Sequence, residues 1–290
     1  MLTSRPPRRG VSRRVKLAIR VTLVLALLIT VAGYIALRHS VPGFEPSSCS
    51  VTAPGQPVSL NVGQAGIAAT IAGVAQQNAM PRRAVTVAYA TALQESKLTN
   101  LHHGDLDSVG VFQQRPSQGW GKRHQLEDPV YATTRFFAAL GRIPDYARLP
   151  VYRAAQAVQR SADGYAYNQY AAVAARLSRA FTGETAHAVW CWYPEGVGKT
   201  RLPAARQALN HAFGPLQAAP NGDPMVAVRT PGGKGGWAVT AWLVSHASAY
   251  GIRHISYDGY EWTTTHGSSG WTAIKGASRA KAPPATVVFG

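Results

Sequence analysis

Cysteine and acidic residues are scarce in this chain of 290 residues. It holds two cysteines, and its 13 Asp and Glu are outnumbered by 30 Lys and Arg, which gives a net charge of +17. Any chemistry that needs carboxylates therefore has few candidate residues. No HExxH run is present, so the usual zinc-protease motif is excluded.

The N-terminus predicts export from the cytoplasm. Residues 1–20 carry seven basic residues and no acid, and residues 21–37 carry no charge. About 20 apolar residues cross a bilayer core, and a basic leading flank stays in the cytoplasm. We therefore expect a cytoplasmic segment 1–20, a single transmembrane helix 21–37 and a stalk 38–61, with the rest extracytoplasmic in the cell membrane. The alternative is a cleaved signal peptide and a secreted protein.

An extracytoplasmic location also favours a disulfide between Cys49 and Cys191, since disulfides persist outside the cytoplasm. Two unpaired thiols are the alternative. The exported part keeps a net charge of +10 without a basic run typical of a nucleic-acid arm. A diffusely cationic surface of this kind favours an anionic partner such as cell-wall polymers.

Beyond the stalk, the sequence pattern predicts an α+β protein in three parts. Residues 62–182 show successive helix-spaced apolar runs and predict an α-rich domain. Residues 183–224 are irregular, contain Cys191 and read as a linker region. Residues 225–290 predict a small α+β domain, with a helix, a hairpin at Asp258-Gly259 and a final strand.

Two short motifs carry the chemical information. Glu95 lies in ALQESKL (Ala92–Leu98), and DSVGVFQQRP (Asp107–Pro116) follows twelve residues after it. Together they resemble the Glu-Ser … Gly-Leu-Met-Gln-x-x-Pro signature of the lytic transglycosylases, members of the lysozyme-like superfamily. The resemblance covers roughly residues 62–182. It implies a lysozyme-like fold and cleavage of the β-1,4 bond between N-acetylmuramic acid and N-acetylglucosamine in peptidoglycan.

By this resemblance Glu95 is the single general acid and base. Its place at a helix C-terminus, among apolar neighbours, disfavours the charged form and so favours an acid that can donate a proton. The family's later Ala-Tyr-Asn-Ala-Gly element aligns with either Ala157–Ala162 or Ala166–Asn168. Helix order favours the first, which makes Gln159 the counterpart of the Asn. The predicted substrate-binding residues are Ser96, Gly110, Phe112, Gln113, Gln114, Gln159 and Tyr165.

A second carboxylate would change the product. Asp105 and Asp107 follow Glu95 on a polar loop, and if either positioned water the enzyme would be a hydrolytic muramidase. Without it, the sugar's own C6 hydroxyl would close a 1,6-anhydro ring. A non-catalytic peptidoglycan-binding module is the third possibility. The nearby His102 and His103 complete no metal motif, so neither a metal nor another cofactor is predicted.

The last 60 residues concentrate aromatic side chains, most of which we expect to form a core. Their arrangement looks like a small domain appended to many bacterial cell-wall enzymes and distantly similar to zinc D-alanyl carboxypeptidases. That domain often ends in a His-x-His strand. Here the final strand, ATVVFG, lacks histidine, and His246, His254 and His266 are scattered. No zinc site is therefore expected, and the resemblance implies a role in binding or positioning peptidoglycan.

Overall fold

The computed structural model describes residues 13–40, 46–161, 163–220, 225–265, 269–275 and 285–290. It contains two compact units, residues 1–46 and residues 47–290. In the first unit, helix α1 runs over Arg13–Ser40, and its Arg13–Leu37 portion is long and apolar enough to cross a membrane. A signal sequence near an N-terminus has the same properties. The helix begins eight residues before the predicted span 21–37.

The second unit mixes helices and strands, which confirms the predicted α+β class. Its helices are α2 Val62–Gln77, α3 Arg82–Ser96, α4 Arg123–Leu126, α5 Pro129–Leu140, α6 Val151–Gln159, α7 Ala171–Phe181, α8 Leu202–Phe213, α9 Lys234–Ser245 and α10 Ala247–Tyr250. Its strands are β1 Ser48–Val51, β2 Val58–Asn61, β3 Val189–Trp192, β4 Ala218–Pro220, β5 Val226–Arg229, β6 His254–Tyr257, β7 Tyr260–Thr263, β8 Thr272–Ala273 and β9 Thr286–Phe289. Within the described residues, 3₁₀ segments lie at Pro116–Gln118 and Gly164–Tyr170.

Part of the predicted stalk is instead folded into an antiparallel sheet. Strands β1, β2 and β3 pair in the order β2-β1-β3, which places Cys49 directly opposite Cys191. The two residues form the predicted disulfide across 142 residues of chain. A local composition rich in Pro, Ser and Gly suggested a stalk, but pairing with a distant strand decides the structure of 48–61. The same pairing places part of the predicted linker 183–224 in the sheet.

Helix α2 is the central helix of the second unit. Asn61 and Gln64 form a reciprocal capping box at its start, with Asn61 Oδ1 accepting from the Gln64 amide at 2.8 Å. Most of its length consists of small buried residues, so α3, α5, α8 and α9 can all pack against it. Helix α5 begins at Pro129 with Asp128 as its cap, two residue types that favour a helix start.

The C-terminal residues form a second antiparallel sheet, of order β4-β5-β9-β6-β7-β8. The predicted hairpin at Asp258-Gly259 joins β6 to β7, with both residues at positive φ. The final strand β9 lies inside this sheet, between β5 and β6. His266 lies outside the described residues.

The two predicted domains share one hydrophobic core. Trp237, Trp242 and Trp262 are buried, as expected for most of these aromatics. The Trp262 indole donates to the Cys191 carbonyl at 3.1 Å, which ties the second sheet to the first. Residues 225–290 therefore pack into the same compact unit as the α-rich part, and the domain limits 62–182, 183–224 and 225–290 stay predictions.

Candidate active site

Glu95 is the next-to-last residue of α3 and lies half-buried at its C-terminal end. Helix α3 ends because Lys97 takes a left-handed conformation, and the Leu98 amide then donates to the Ala92 carbonyl. Two side chains donate to the same carboxylate oxygen, Oε1: the Tyr167 hydroxyl at 2.7 Å and Gln159 Nε2 at 3.2 Å. Among the described residues, none donates to Oε2, which therefore stays free for a ligand.

Gln159 connects three parts of the structure. It is the last residue of α6, and its Nε2 donates both to Glu95 and to the Phe112 carbonyl at 2.8 Å. Helix α6 ends here because Arg160 adopts the left-handed conformation. Gln159 thus lies beside the proposed acid, where the sequence alignment placed it, and its contact with substrate stays a prediction.

Tyr167 is the residue that sequence reasoning left out. It lies in the 3₁₀ segment Gly164–Tyr170 and is only 1% exposed. Burial, followed by the neighbouring Glu95 carboxylate, raises the pKa of the Tyr167 phenol, so the hydroxyl stays protonated and can donate. The signal was present, because Ala166–Asn168 was the alternative match to the family's Ala-Tyr-Asn element. Both candidate alignments therefore supply a side chain to Glu95.

The second motif forms a tight turn below the helix end. Val109 and Gln114 pair as an isolated antiparallel bridge, and the Gly110 amide donates to the Leu101 carbonyl at 2.6 Å. Gly110 has a φ of +77°, and an added Cβ would overlap the carbonyl oxygen of Leu126. Glycine is therefore needed here for backbone packing, and a contact of Gly110 with substrate stays a prediction.

Three predicted substrate-binding residues have structural roles instead, because their side chains are buried. Ser96 Oγ donates to the Val111 carbonyl at 2.7 Å and so holds the turn against α3. The Phe112 ring stacks on the Phe136 ring, with 4.5 Å between their centroids. Gln114 Nε2 donates to a carbonyl of α5 at 3.3 Å. These contacts position the Phe112 carbonyl that receives Gln159.

Gln113 and Tyr165 remain accessible. Gln113 is half-buried at a φ of +48°, and its Nε2 donates to the Gly110 carbonyl at 3.2 Å. Tyr165 is 66% exposed and meets the ring of Tyr152 edge-on, with 5.2 Å between centroids. Neither side chain bonds to Glu95, and their contact with substrate stays a prediction.

The polar loop after Glu95 is held by its own ion pair. Asp107 accepts from Arg115 Nε and from the Ser117 amide, both at 2.8 Å. The Arg115 hydrogen bond, and then that of the Ser117 amide, lowers the pKa of Asp107 to about 2. Asp107 is therefore an ionised loop anchor whose two oxygens are already engaged. Asp105 is exposed, and its carbonyl receives the Ser108 amide at 3.0 Å.

The neighbouring histidines are not gathered into a metal centre. His102 lies 3.6 Å from the Glu127 carboxylate, at the rim of the same loop. Within the described ranges, no group of three or more His, Cys, Asp or Glu residues is placed to hold a metal ion. The site consequently offers one carboxylic acid, two uncharged donors and a structured loop.

A groove of about 470 Å³ lies next to Gln159. It lies between residues 118–120, the C-terminal half of α5 and the end of α6, and Gln159 forms part of its wall. A molecule in the groove would therefore lie one side chain away from Glu95. Comparison with known proteins finds no family profile that matches this chain and no curated protein with significant sequence similarity.

Proposed function

We propose that this chain is a peptidoglycan lytic transglycosylase with a lysozyme-like catalytic region, in which Glu95 is the only general acid and base. The observation that carries the proposal is the environment of the Glu95 carboxyl group. One oxygen is held by Tyr167 and Gln159, none of the described residues donates to the other, and Gln159 also lines a neighbouring groove. This arrangement suits delivery of a proton to a glycosidic oxygen.

The reaction proceeds in two proton transfers. The protonated Glu95 gives its proton to the glycosidic oxygen as the bond from that oxygen to C1 of N-acetylmuramic acid breaks. The C6 hydroxyl of the same sugar then attacks C1, and its proton returns to the Glu95 carboxylate. The products are a 1,6-anhydro end and a free 4-hydroxyl end, without consumption of water.

The state of Asp107 supports this route over hydrolysis. A muramidase of the inverting or retaining kind uses a second carboxylate to activate water or to bond the sugar. Both oxygens of Asp107 already accept hydrogen bonds from Arg115 and Ser117. Displacing them would cost charge-assisted hydrogen bonds, which are about twice as strong as neutral ones.

The proposal places the enzyme outside the cytoplasmic membrane. Helix α1 is long and apolar enough to act as a single-pass anchor, and the Cys49–Cys191 disulfide suits an oxidising compartment. Peptidoglycan glycan strands are the proposed substrate, and no nucleic acid or cofactor is part of the proposal.

Mass spectrometry of the fragments released from purified peptidoglycan tests the function. The full chain in mild detergent is compared with Glu95→Gln and with Glu195→Gln, which removes the same charge from an exposed glutamate. We expect fragments with 1,6-anhydromuramyl ends from the wild type and Glu195→Gln only. Reducing ends would identify a muramidase, and equal cleavage by Glu95→Gln would refute the role of Glu95. If the wild type and Glu95→Gln both sediment with the wall and neither releases a product, the protein is a binding module.

A further inference from the structure

The groove beside Glu95 is strongly basic. Arg135, Arg142 and Arg160 all line it, together with Trp120 and Gln159. Arg135 lies within α5, Arg142 lies two residues beyond the end of that helix, and Arg160 directly follows α6. Three guanidinium groups are thus collected on one concave surface, at the point where two helices end.

These three charges have no protein counter-ion in the part of the chain that the structure describes. The ion pairs there use other arginines, namely Arg82, Arg115 and Arg123. Arg135 donates only to the carbonyls of Trp120 and Gly119, at 3.1 and 3.4 Å. These bonds hold its guanidinium at the groove wall and leave its charge uncompensated.

The ends of α5 and α6 compensate the basic charges only in part. Each helix C-terminus carries roughly half a negative charge, which stabilises a nearby arginine and by itself accounts for one arginine at the end of a helix. Two such helix ends together offset about one unit of the three. The groove therefore keeps an excess of positive charge and would favour an anionic group of its ligand.

The groove and the acid are coupled through one side chain. Gln159 lines the groove, and its Nε2 reaches Glu95 Oε1 at 3.2 Å. Trp120 adds an apolar surface to the same wall, suited to the aliphatic part of a ligand. An anionic group in the groove would consequently belong to the same molecule as the bond that Glu95 cleaves.

We propose that this groove binds the carboxylates of the stem peptide on the glycan strand, so that the enzyme prefers peptide-bearing strands to naked ones. The inference rests on the proposed function and specifies its substrate. The hydroxyl and acetamido groups of the glycan are neutral, and the lactyl carboxyl group is used in the amide bond to the peptide, so the carboxylates of an intact strand lie on the peptide. The planar guanidinium group matches a carboxylate with two parallel hydrogen bonds, which a lysine cannot provide.

The test compares two substrates and two pairs of substitutions. Uncrosslinked peptidoglycan strands are used either intact or as naked strands, from which an amidase has removed the peptides and in which the lactyl carboxylate that this exposes has been converted to its methyl amide. Arg142→Gln/Arg160→Gln removes two groove charges, and Arg148→Gln/Arg153→Gln removes two charges from exposed residues of the same region outside the groove wall. Both pairs change the net charge equally, so general attraction to the wall is matched. Unchanged thermal unfolding of the full chain in detergent checks the fold of each variant.

We expect the groove pair to lower kcat/KM on intact strands about tenfold, as for two partly exposed ion pairs, and to leave naked strands within twofold. The matched pair should stay within twofold on both substrates. The wild-type preference should shrink as salt rises from 0.05 to about 0.5 M, since salt screens exposed charges. An equal loss on both substrates, or no loss, would overturn the inference.

Two further comparisons identify which anionic group the groove binds and test the groove inference separately from the proposed function. Walls with and without phosphate-containing polymers are compared, and a preference that follows the phosphate rather than the peptide would overturn the stem-peptide assignment. Sedimentation of the Glu95→Gln protein with intact and naked strands measures the same preference without cleavage. Failure of Glu95 dependence would refute the proposed function, whereas Glu95-dependent cleavage without peptide preference would refute the groove inference alone.

Discussion

Replacing Gly110 by alanine should destabilise the second unit and disturb the site together. The turn 109–114 depends on Gly110 for two separate reasons, a φ of +77° and the close approach of the Leu126 carbonyl. Gly119, which is exposed, provides a control with a matched backbone conformation. Its φ is +78°, yet no atom lies within 4 Å of an added Cβ. The two substitutions share the backbone strain and differ in the steric overlap.

The magnitudes follow from these two terms. An alanine in the left-handed region costs about 1 kcal/mol of the free energy of unfolding, and this cost applies to both variants. Overpacking against a carbonyl that cannot move freely adds roughly 1–3 kcal/mol for Gly110→Ala alone. For a unit of this size, each kcal/mol lowers Tm by about 2–4 °C. We therefore expect Gly110→Ala to melt roughly 2–12 °C below Gly119→Ala.

Tryptophan fluorescence during urea unfolding measures this difference. All seven tryptophans of the chain follow residue 47, so the signal reports on the second unit and not on α1. The free energies of unfolding of the wild type, Gly110→Ala and Gly119→Ala are compared under the same conditions. Equal values for the two variants, within about 0.5 kcal/mol, would refute the packing argument and leave only the backbone strain.

Three further predictions concern other parts of the molecule. Burial lowers the pKa of His246 from 6.5 to about 4, so between these pH values only the unfolded chain takes up a proton at this residue. The His246 contribution to the free energy of unfolding should therefore fall by about 3 kcal/mol from pH 7 to 4. His246→Phe should lose this contribution, and the same change in the free energy of unfolding with pH for wild type and variant in urea would contradict it. Reduction of Cys49–Cys191 should cost about 5 kcal/mol in such unfolding experiments, as expected from the chain-entropy relation for so long a loop, and an unchanged midpoint would count against it. Under the proposed function, Tyr167→Phe should lower kcat/KM in cleavage assays at least tenfold by removing a hydrogen bond to a carboxylate. The control Tyr250→Phe, in α10, should stay within twofold of the wild type, and equal rates for the two variants would refute the positioning role of Tyr167.

Local patterns predicted the helices well where a helix has its own start and stop signals. Asp128-Pro129 marks the start of α5, and the periodicity up to Leu140 marks its end. The end of the C-terminal helix is not marked in the same way, because the apolar run Trp237–Tyr250 divides at His246 into the ends of α9 and α10. His246 leaves the helical conformation while its ring stacks on Trp242 with 4.0 Å between centroids. Such packing cannot be inferred from periodicity.

Sequence motifs supplied Glu95 and Gln159 as candidate site residues, but they did not indicate which neighbouring side chains are buried. Glu95 and Gln159 follow from motifs that can be aligned, and the structure brings them within hydrogen-bonding distance. Phe112 and Gln114 lie in the second motif too, but their side chains are buried under the turn. A motif identifies residue types and their spacing, but it does not indicate which of these side chains are exposed to solvent. That distinction depends on the chain folded around them.

The sequence by itself predicted the α+β class, the apolar N-terminal helix and the pairing of its only two cysteines, and it supplied Glu95 as the candidate for the proposed acid. These properties depend on composition, on spacing along the chain or on a pattern of neighbouring residues. Tertiary structure alone decided that 48–61 forms a sheet with β3 and that Tyr167 donates to Glu95 across 72 residues. It also brought three arginines of α5, α6 and their ends onto one groove. Contacts between distant segments depend on how the helices pack, and no local pattern encodes them.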